Sequence, residues 1–280
     1  MFPAYLVILL ISAALLPIFS DSMRNIPFQS GRNIARLEQI EAAQSWFSMH
    51  LAVHLPLLQG LVPNAIDPTA PFTIVGQAWS ISLEWQFYLV APLVVALAGK
   101  KWGLPILAVI VAVLWWSANF MSIAYLGAKQ FQFIVGIASC IGFVSHGGGR
   151  YRAFGVAILA AFGCLVSQGW LQLLPLTIWL GCMVTVLSWR DWWPASMAAK
   201  VLSHPVLKWI GDRSYSTYLV HMLPIYLGAF ALNATGIADG SYAAALLVIV
   251  VVGTVLLSMA SFRLEKWGIT AGRSIARKLS

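Results

Sequence analysis

The chain has 280 residues, of which 60% are hydrophobic and only 9% charged. A soluble domain carries about 25% charged residues, so this composition excludes a water-soluble globular protein and points to a chain that crosses a membrane many times. The net charge of +8 then reads as an excess of Lys and Arg on cytoplasmic loops, not as a nucleic-acid surface.

A membrane helix needs about 20 mostly apolar residues. About eight runs meet that need, at 3–20, 77–98, 103–121, 129–146, 153–169, 171–189, 213–234 and 241–262, which predicts an all-α polytopic transmembrane bundle. The first run has no basic stretch before it and no small-residue cleavage site after it, so it reads as a membrane helix and not as a removable leader. The segment 21–76 is the one long connection. Its middle, 36–61, has helical periodicity, with charges at Arg36, Glu38 and Glu41 and an apolar side of Trp46, Phe47, Leu51, Leu55 and Leu58. That pattern predicts an extracytoplasmic helix lying on or dipping into the interface; a ninth span is the alternative. Pro63, Pro68 and Pro71 then break the chain. Cys140, Cys164 and Cys182 sit in apolar runs without metal or disulfide spacing and read as small core residues.

Orientation follows from the basic residues. With eight alternating helices and a cytoplasmic N-terminus, Arg24, Arg32, Arg36 and Lys129 fall outside, and the other 13 of the 17 Lys and Arg residues, Arg190 among them, fall inside. That bias supports cytoplasmic N- and C-termini. A ninth span in 21–76 would scramble it. The basic segment 263–280 reads as a cytoplasmic tail.

Of the nine carboxylates, Glu84 alone falls inside an expected span. A charge at the centre of a membrane helix is unfavourable by about 2.5–3.5 kcal/mol, so it is normally paired, protonated or facing a polar cavity. Ser80, Glu84 and Tyr88 lie at i, i+4 and i+8 and share one face; Trp79 and Gln86 lie beside that stripe. A second polar stripe, Ser214, Tyr218 and His221, runs up the later helix. Both Glu84 and His221 sit ~12 Å from the ends of their helices at 1.5 Å per residue, so a carboxylate and an imidazole are expected at matching depth. The plainer reading makes each a hydrogen-bonding group between packed helices. His50 and His54 have i, i+4 spacing but no third ligand, which argues against a metal site. His146 and His204 read as loop residues, and "GGGR" (147–150) as a turn.

These residues resemble those of acyltransferase family 3, integral membrane enzymes that O-acylate cell-surface carbohydrates. "AWSISLEWQFYL" is similar to the family's Trp-Ser-(Leu/Ile)-x-x-Glu-x-x-Phe-Tyr helix. "FQFIVGI", Phe131 to Ile137, resembles its Phe-x-x-Gly helix start. "LKWIGDRSYSTYLVH" resembles its Gly-x-x-Ser-Tyr-x-x-Tyr-Leu-x-His element. "FRLEKWGI", Phe262 to Ile269, resembles its closing element, with Trp267 where the family usually has Pro. "MFPAYLVILL" looks like the family's third helix. Two further membrane helices, which carry the family's His base, are therefore expected before Met1, and none of the five His residues here matches that base.

The resemblance implies transfer of an acyl group, commonly acetyl, from cytoplasmic acyl-CoA to a hydroxyl of a cell-surface or exported carbohydrate, in the bacterial inner membrane and with no bound cofactor. Glu84 and His221 are then the candidate catalytic residues. Glu84 either takes the hydroxyl proton or holds the family's His in its reactive tautomer. Trp79, Ser80, Gln86, Tyr88, Ser214, Tyr215 and Tyr218 line the substrate site, and Arg213 and Arg150 are candidates for the CoA phosphates. Two other readings compete. One is a sugar-lipid transporter with Glu84 and His221 as a proton relay, against which stands the absence of an internal repeat. The other is a non-catalytic fragment of such an enzyme. The sequence says nothing of oligomeric state.

Overall fold

The computed structural model describes residues 2–98, 100–188, 192–237 and 239–279. Arg190, counted among the basic residues that fall inside, lies outside them. Fourteen α-helices and several short 3-10 turns make up the described chain, with no strand among those residues. In order they are α1 (Phe2–Ala14), α2 (Leu16–Arg24), α3 (Gly31–Ser45), α4 (Phe47–His54), α5 (Trp79–Ala98), α6 (Gly103–Ser117), α7 (Leu126–Val144), α8 (Gly148–Gln168), α9 (Leu173–Ser188), α10 (Trp193–Leu202), α11 (Pro205–Asp212), α12 (Ser214–Val220), α13 (Met222–Asn233) and α14 (Asp239–Leu279).

Six helical stretches among the described residues are long and apolar enough to cross a membrane, or seven if the bent pair α1 and α2 counts as one. The protein is an all-α polytopic membrane protein. Two local features reconcile these stretches with the eight expected runs. The expected span 3–20 is not straight: α1 and α2 meet at a 63° bend. Leu15 leaves helical geometry there, and Pro17, which has no N–H to lose, sits in the first turn of α2. The 40-residue stretch Gly148–Leu187 folds back at Gly169, whose φ is +70°. Gln168 at the end of α8 bonds Ala128 at the start of α7, whereas Gln172 and Trp179 of α9 bond Gln132 and Ser139 in rising order along α7. Thus α8 runs against α7, and α9 runs with it.

The chain forms two compact units. The first holds Met1–Gln86, Phe120–Ala124 and Asp212–Ser280. Its core joins Tyr5 and Leu9 of α1, Phe19 of α2, Ile40 of α3, Leu219 of α12, Tyr226 of α13 and Tyr242 of α14, all fully buried. The Phe19 and Tyr226 rings lie 4.4 Å apart, a separation that adds aromatic attraction to simple burial. Ser30 starts α3 by accepting from the Asn33 N–H at 3.2 Å, an N-cap that satisfies one otherwise unpaired donor. The break at Trp46 then separates α3 from α4. None of the helices in 21–76 beyond α2 qualifies as a span.

In the second unit, Phe87–Asn119 and Tyr125–Gly211, α7 and α8 form an antiparallel hairpin. Glycines permit the close approach: a methyl group at Gly142 would meet the Phe154 ring at 2.7 Å, and one at Gly163 the Phe131 ring at 2.8 Å. Small residues at a helix crossing are the usual way membrane helices gain packing contact without hydrophobic driving force.

Candidate active site

The polar residues of the first unit form two linked layers. The lower layer is built where the 3-10 turn at Gly76–Ala78 feeds α5. Tyr218 of α12 donates its hydroxyl to the Gln77 carbonyl at 2.7 Å and accepts from Ser80 Oγ at 3.0 Å. The Gln77 amide donates in turn to the Leu219 carbonyl at 2.6 Å. These three bonds fix the start of α5 to α12. Glu84, one turn beyond Ser80, is half-buried. It makes no hydrogen bond or ion pair with any described residue, and its charge acts on the Tyr215 and Tyr218 hydroxyls.

A second carboxylate joins this layer. Ser216 Oγ donates to Glu265 Oε2 at 3.0 Å, and the Glu265 charge also acts on Tyr215. The sequence placed Glu265 in a tail beyond the last span. The structure carries α14 unbroken through it, so the tail is a continuation of the helix. Beside Glu265, the Arg213 guanidinium and the Lys266 ammonium lie 4.5 and 4.6 Å from the Phe262 ring centre, within cation–π range.

The upper layer belongs to α4 and the loop after it. The sequence expected Trp46, Phe47 and Leu55 on the apolar side of a helix at the membrane interface. The structure exposes all three and buries His50 and His54 instead. Such an arrangement suits a segment whose outer face meets lipid and whose inner face meets a polar interior. His50 Nδ1 lies 3.3 Å from Thr73 Oγ1, and its Nε2 lies 3.4 Å from Asp67 Oδ2. His54 Nδ1 lies 2.9 Å from the His50 carbonyl, so Nδ1 carries the proton and Nε2 is left as an acceptor. That Nε2 is buried and has no hydrogen-bond partner among the described residues. Burial pushes the His54 imidazole down to about 3. It lowers His50 too, with the Asp67 carboxylate opposing the shift. Tyr5 Oη donates to the His54 carbonyl at 2.8 Å. Arg36 donates to the Tyr226 hydroxyl and the Phe72 carbonyl, which fastens the loop to α3 and α13.

A third set of polar residues clasps α5 to the turn before it. Ser82 and Gln86 are buried, whereas Ser80 and Glu84 are only partly so. Ser82 Oγ donates to the Leu57 carbonyl at 2.7 Å and accepts from the Gly60 N–H at 3.1 Å; the Gln86 amide donates to the Ala124 carbonyl at 2.8 Å.

Glu84, Ser80, Tyr215 and Tyr218, each expected at the site, are therefore brought together. His221 sits at the break between α12 and α13, with Nδ1 2.7 Å from the Tyr218 carbonyl and no bond to Glu84. Ser214 is exposed, and Ser216 takes the inward position on α12. Gln86 serves the Ala124 clasp, and Trp79 is half-buried. Tyr88 lies in the second unit and is 52% exposed. Arg150 lies over the Phe154 ring, 6.0 Å from its centre. The sequence reading missed Gln77, Glu265, Tyr5 and the His50–Asp67–Thr73 set. Only the i, i+4 spacing of the two His residues hinted at the last.

The model of one protein family, described as an acyltransferase domain, matches residues 2–263. This chain belongs to acyltransferase family 3. It is a membrane acyltransferase by family, and the match covers all of α1 to α13 and ends two residues before Glu265. No curated protein and no solved structure gives a match.

Proposed function

We propose that the protein is a membrane O-acyltransferase that moves an acyl group, acetyl by preference, from acyl-CoA to a hydroxyl of a cell-surface or exported carbohydrate, in a bacterial inner membrane with both termini cytoplasmic. The observation that carries this reading is the Glu84 carboxylate. It stands in a membrane helix with no bonded partner among the described residues, and its charge acts on the Tyr215 and Tyr218 hydroxyls, the second of which is fixed to the Gln77 carbonyl and to Ser80. A carboxylate without a partner is free to take a proton from an incoming hydroxyl, and general-base help of that kind contributes about 10²–10⁴-fold.

In this reading Glu84 accepts the proton of the acceptor hydroxyl as that oxygen attacks the thioester carbonyl. The carbon–sulfur bond breaks, and the coenzyme A thiolate leaves as the thiol with the proton that Glu84 took, which returns Glu84 to its carboxylate form. Tyr215 and Tyr218 hold polar groups of the substrates, and Ser80 keeps Tyr218 in place. His221, with Nδ1 committed to Tyr218, offers Nε2 as a hydrogen-bond acceptor. Arg213 and Lys266, gathered at Phe262, supply positive charge for an anionic donor.

The test is transfer of labelled acetyl from acetyl-CoA to carbohydrate in membranes that carry Glu84→Gln. The expected result is a fall of about 10²-fold or more with protein still in the membrane. Unchanged transfer removes Glu84 from the chemistry. In the companion variant His221→Ala, full activity reduces that residue to packing.

A further inference from the structure

The second unit contains a groove of about 590 Å³ that Glu84 and its neighbours do not touch. Phe87 of α5, Leu107 of α6, Phe133, Ile137 and Ala138 of α7, and Ala153 of α8 are among its walls, and the lining is apolar except for Gln130, Ser145 and Arg152. Its volume lies within the range of about 300–1,000 Å³ typical of ligand sites. Small residues on neighbouring helices, Ala108, Ala138, Gly149 and Ala153, leave the space open.

One wall residue does not belong in an empty apolar groove. Gln130 is only 3% exposed, and neither its amide nitrogen nor its amide oxygen has a partner among the described residues. An unpaired buried amide is unfavourable, so the position calls for an occupant with both an acceptor and a donor. The next residue, Lys129, is bonded to the neutral Gln168 amide at 2.5 Å and makes no ion pair with a described residue. Both lie in the first turns of α7, where helix N–H groups favour an anion. From Gln130 the groove follows α7 to Ser145, ~22 Å at 1.5 Å per residue. One leaflet of hydrocarbon is about 15 Å deep, half of the core.

We propose that this groove holds an anionic glycerophospholipid, with its phosphate at Lys129, its glycerol ester and hydroxyl groups on Gln130, and one acyl chain along α7 between Phe133 and Ala138. The two-sided hydrogen-bonding need of Gln130 and the apolar trough beyond it match the ester region and the acyl chain of such a lipid, and Lys129, next to Gln130 in the chain though not among the groove's walls, is the cation its phosphate would meet. The inference is independent of the acyl-transfer reading, because no residue of the groove belongs to that site.

The experiment uses the full chain, stripped of lipid in detergent and titrated with phosphatidylglycerol or phosphatidylcholine. Bound lipid is counted by native mass spectrometry, and the melting temperature is followed in parallel. The expected result is one phosphatidylglycerol retained per chain, with at least tenfold preference over phosphatidylcholine. Lys129→Gln should erase the preference. Gln130→Leu should cut retention at least fivefold while the lipid-free protein melts no lower than wild type, since leucine removes the unpaired amide. Ala138→Trp should block retention by filling the trough. Arg152→Gln should leave all of this unchanged. The proposal is overturned if Gln130→Leu and Ala138→Trp retain lipid like wild type, if phosphatidylcholine binds equally well, or if Arg152→Gln alone abolishes binding, which would place the headgroup at the opposite end.

Discussion

The Ser80 hydroxyl donates to the Tyr218 phenol at 3.0 Å, across 138 positions of sequence. The bond joins two of the motifs that carry the family likeness, one opening α5 and the other forming α12. Tyr218 also donates to Gln77, so the phenol is held from two sides, and its ring is fixed next to Glu84.

Tyr218→Phe removes both bonds and keeps the ring. A typical intramolecular hydrogen bond contributes about 1 kcal/mol net, so the expected loss of stability is on the order of 1–2 kcal/mol. The start of α5 then loosens against α12, and acyl transfer should fall further than stability alone accounts for. Melting in detergent and labelled-acetyl transfer, measured on the same preparation, check this. A variant with wild-type transfer would make the bond irrelevant to the site.

Gly60 sits where the chain before α5 passes under Ala124. An added methyl group would lie 2.4 Å from the Ala124 carbonyl oxygen and 2.9 Å from Ser82 Oγ. Gly60→Ala must therefore push apart two backbone segments. Overpacking of this kind costs about 1–3 kcal/mol, and chemical denaturation should show a loss in that range. The neighbouring Leu57, with φ at +61°, is in a region that favours glycine. Its carbonyl is the one that Ser82 captures, so the clasp and the turn stabilise each other.

The upper layer predicts acid sensitivity. His54 is neutral in the folded protein down to about 3, whereas the unfolded chain binds a proton near 6.5. Its contribution is fully present above about pH 6.5 and is lost as pH falls from there toward 3, because the unfolded state then binds the extra proton. At pH 5 the loss is on the order of 2 kcal/mol. His50 shifts in the same direction, and Asp67 opposes part of it. Melting temperatures between pH 7 and pH 5 should fall in wild type and fall less in His54→Gln. Equal slopes would remove His54 as the source.

Much of the fold could be read from composition. A run of twenty apolar residues has one outcome in a membrane chain, and a glycine between two such runs marks their reversal, as at Gly169. Glu84 was legible for the same reason, being a lone charge on an apolar helix. Which neighbour it meets was not legible. On a soluble helix the wet face and the packed face differ in polarity. On α12 both the lipid face and the packed face are apolar, so spacing could not choose between Ser214 and Ser216. Likewise α4 turns His50 and His54 inward, because the interior there is more polar than its outer surroundings. Glu265 was hidden because the last apolar run ends at 262, and a helix need not end where its apolar run does. Lys and Arg propagate helices well, and α14 runs on through them.

That continuous helix has a mechanical consequence. At 41 residues α14 is ~62 Å long, and even at a tilt of 40° its projection exceeds a hydrocarbon core of about 30 Å. Part of it must stand beyond the hydrocarbon as a stalk. Glu265 grips Ser216 near the root of that stalk, and Gly268 bears on Pro3 of α1. A sideways load on that stalk becomes a torque about these two points. It is delivered first to α12, which carries Tyr215 and Tyr218, so α14 is a crank whose handle lies outside the bilayer.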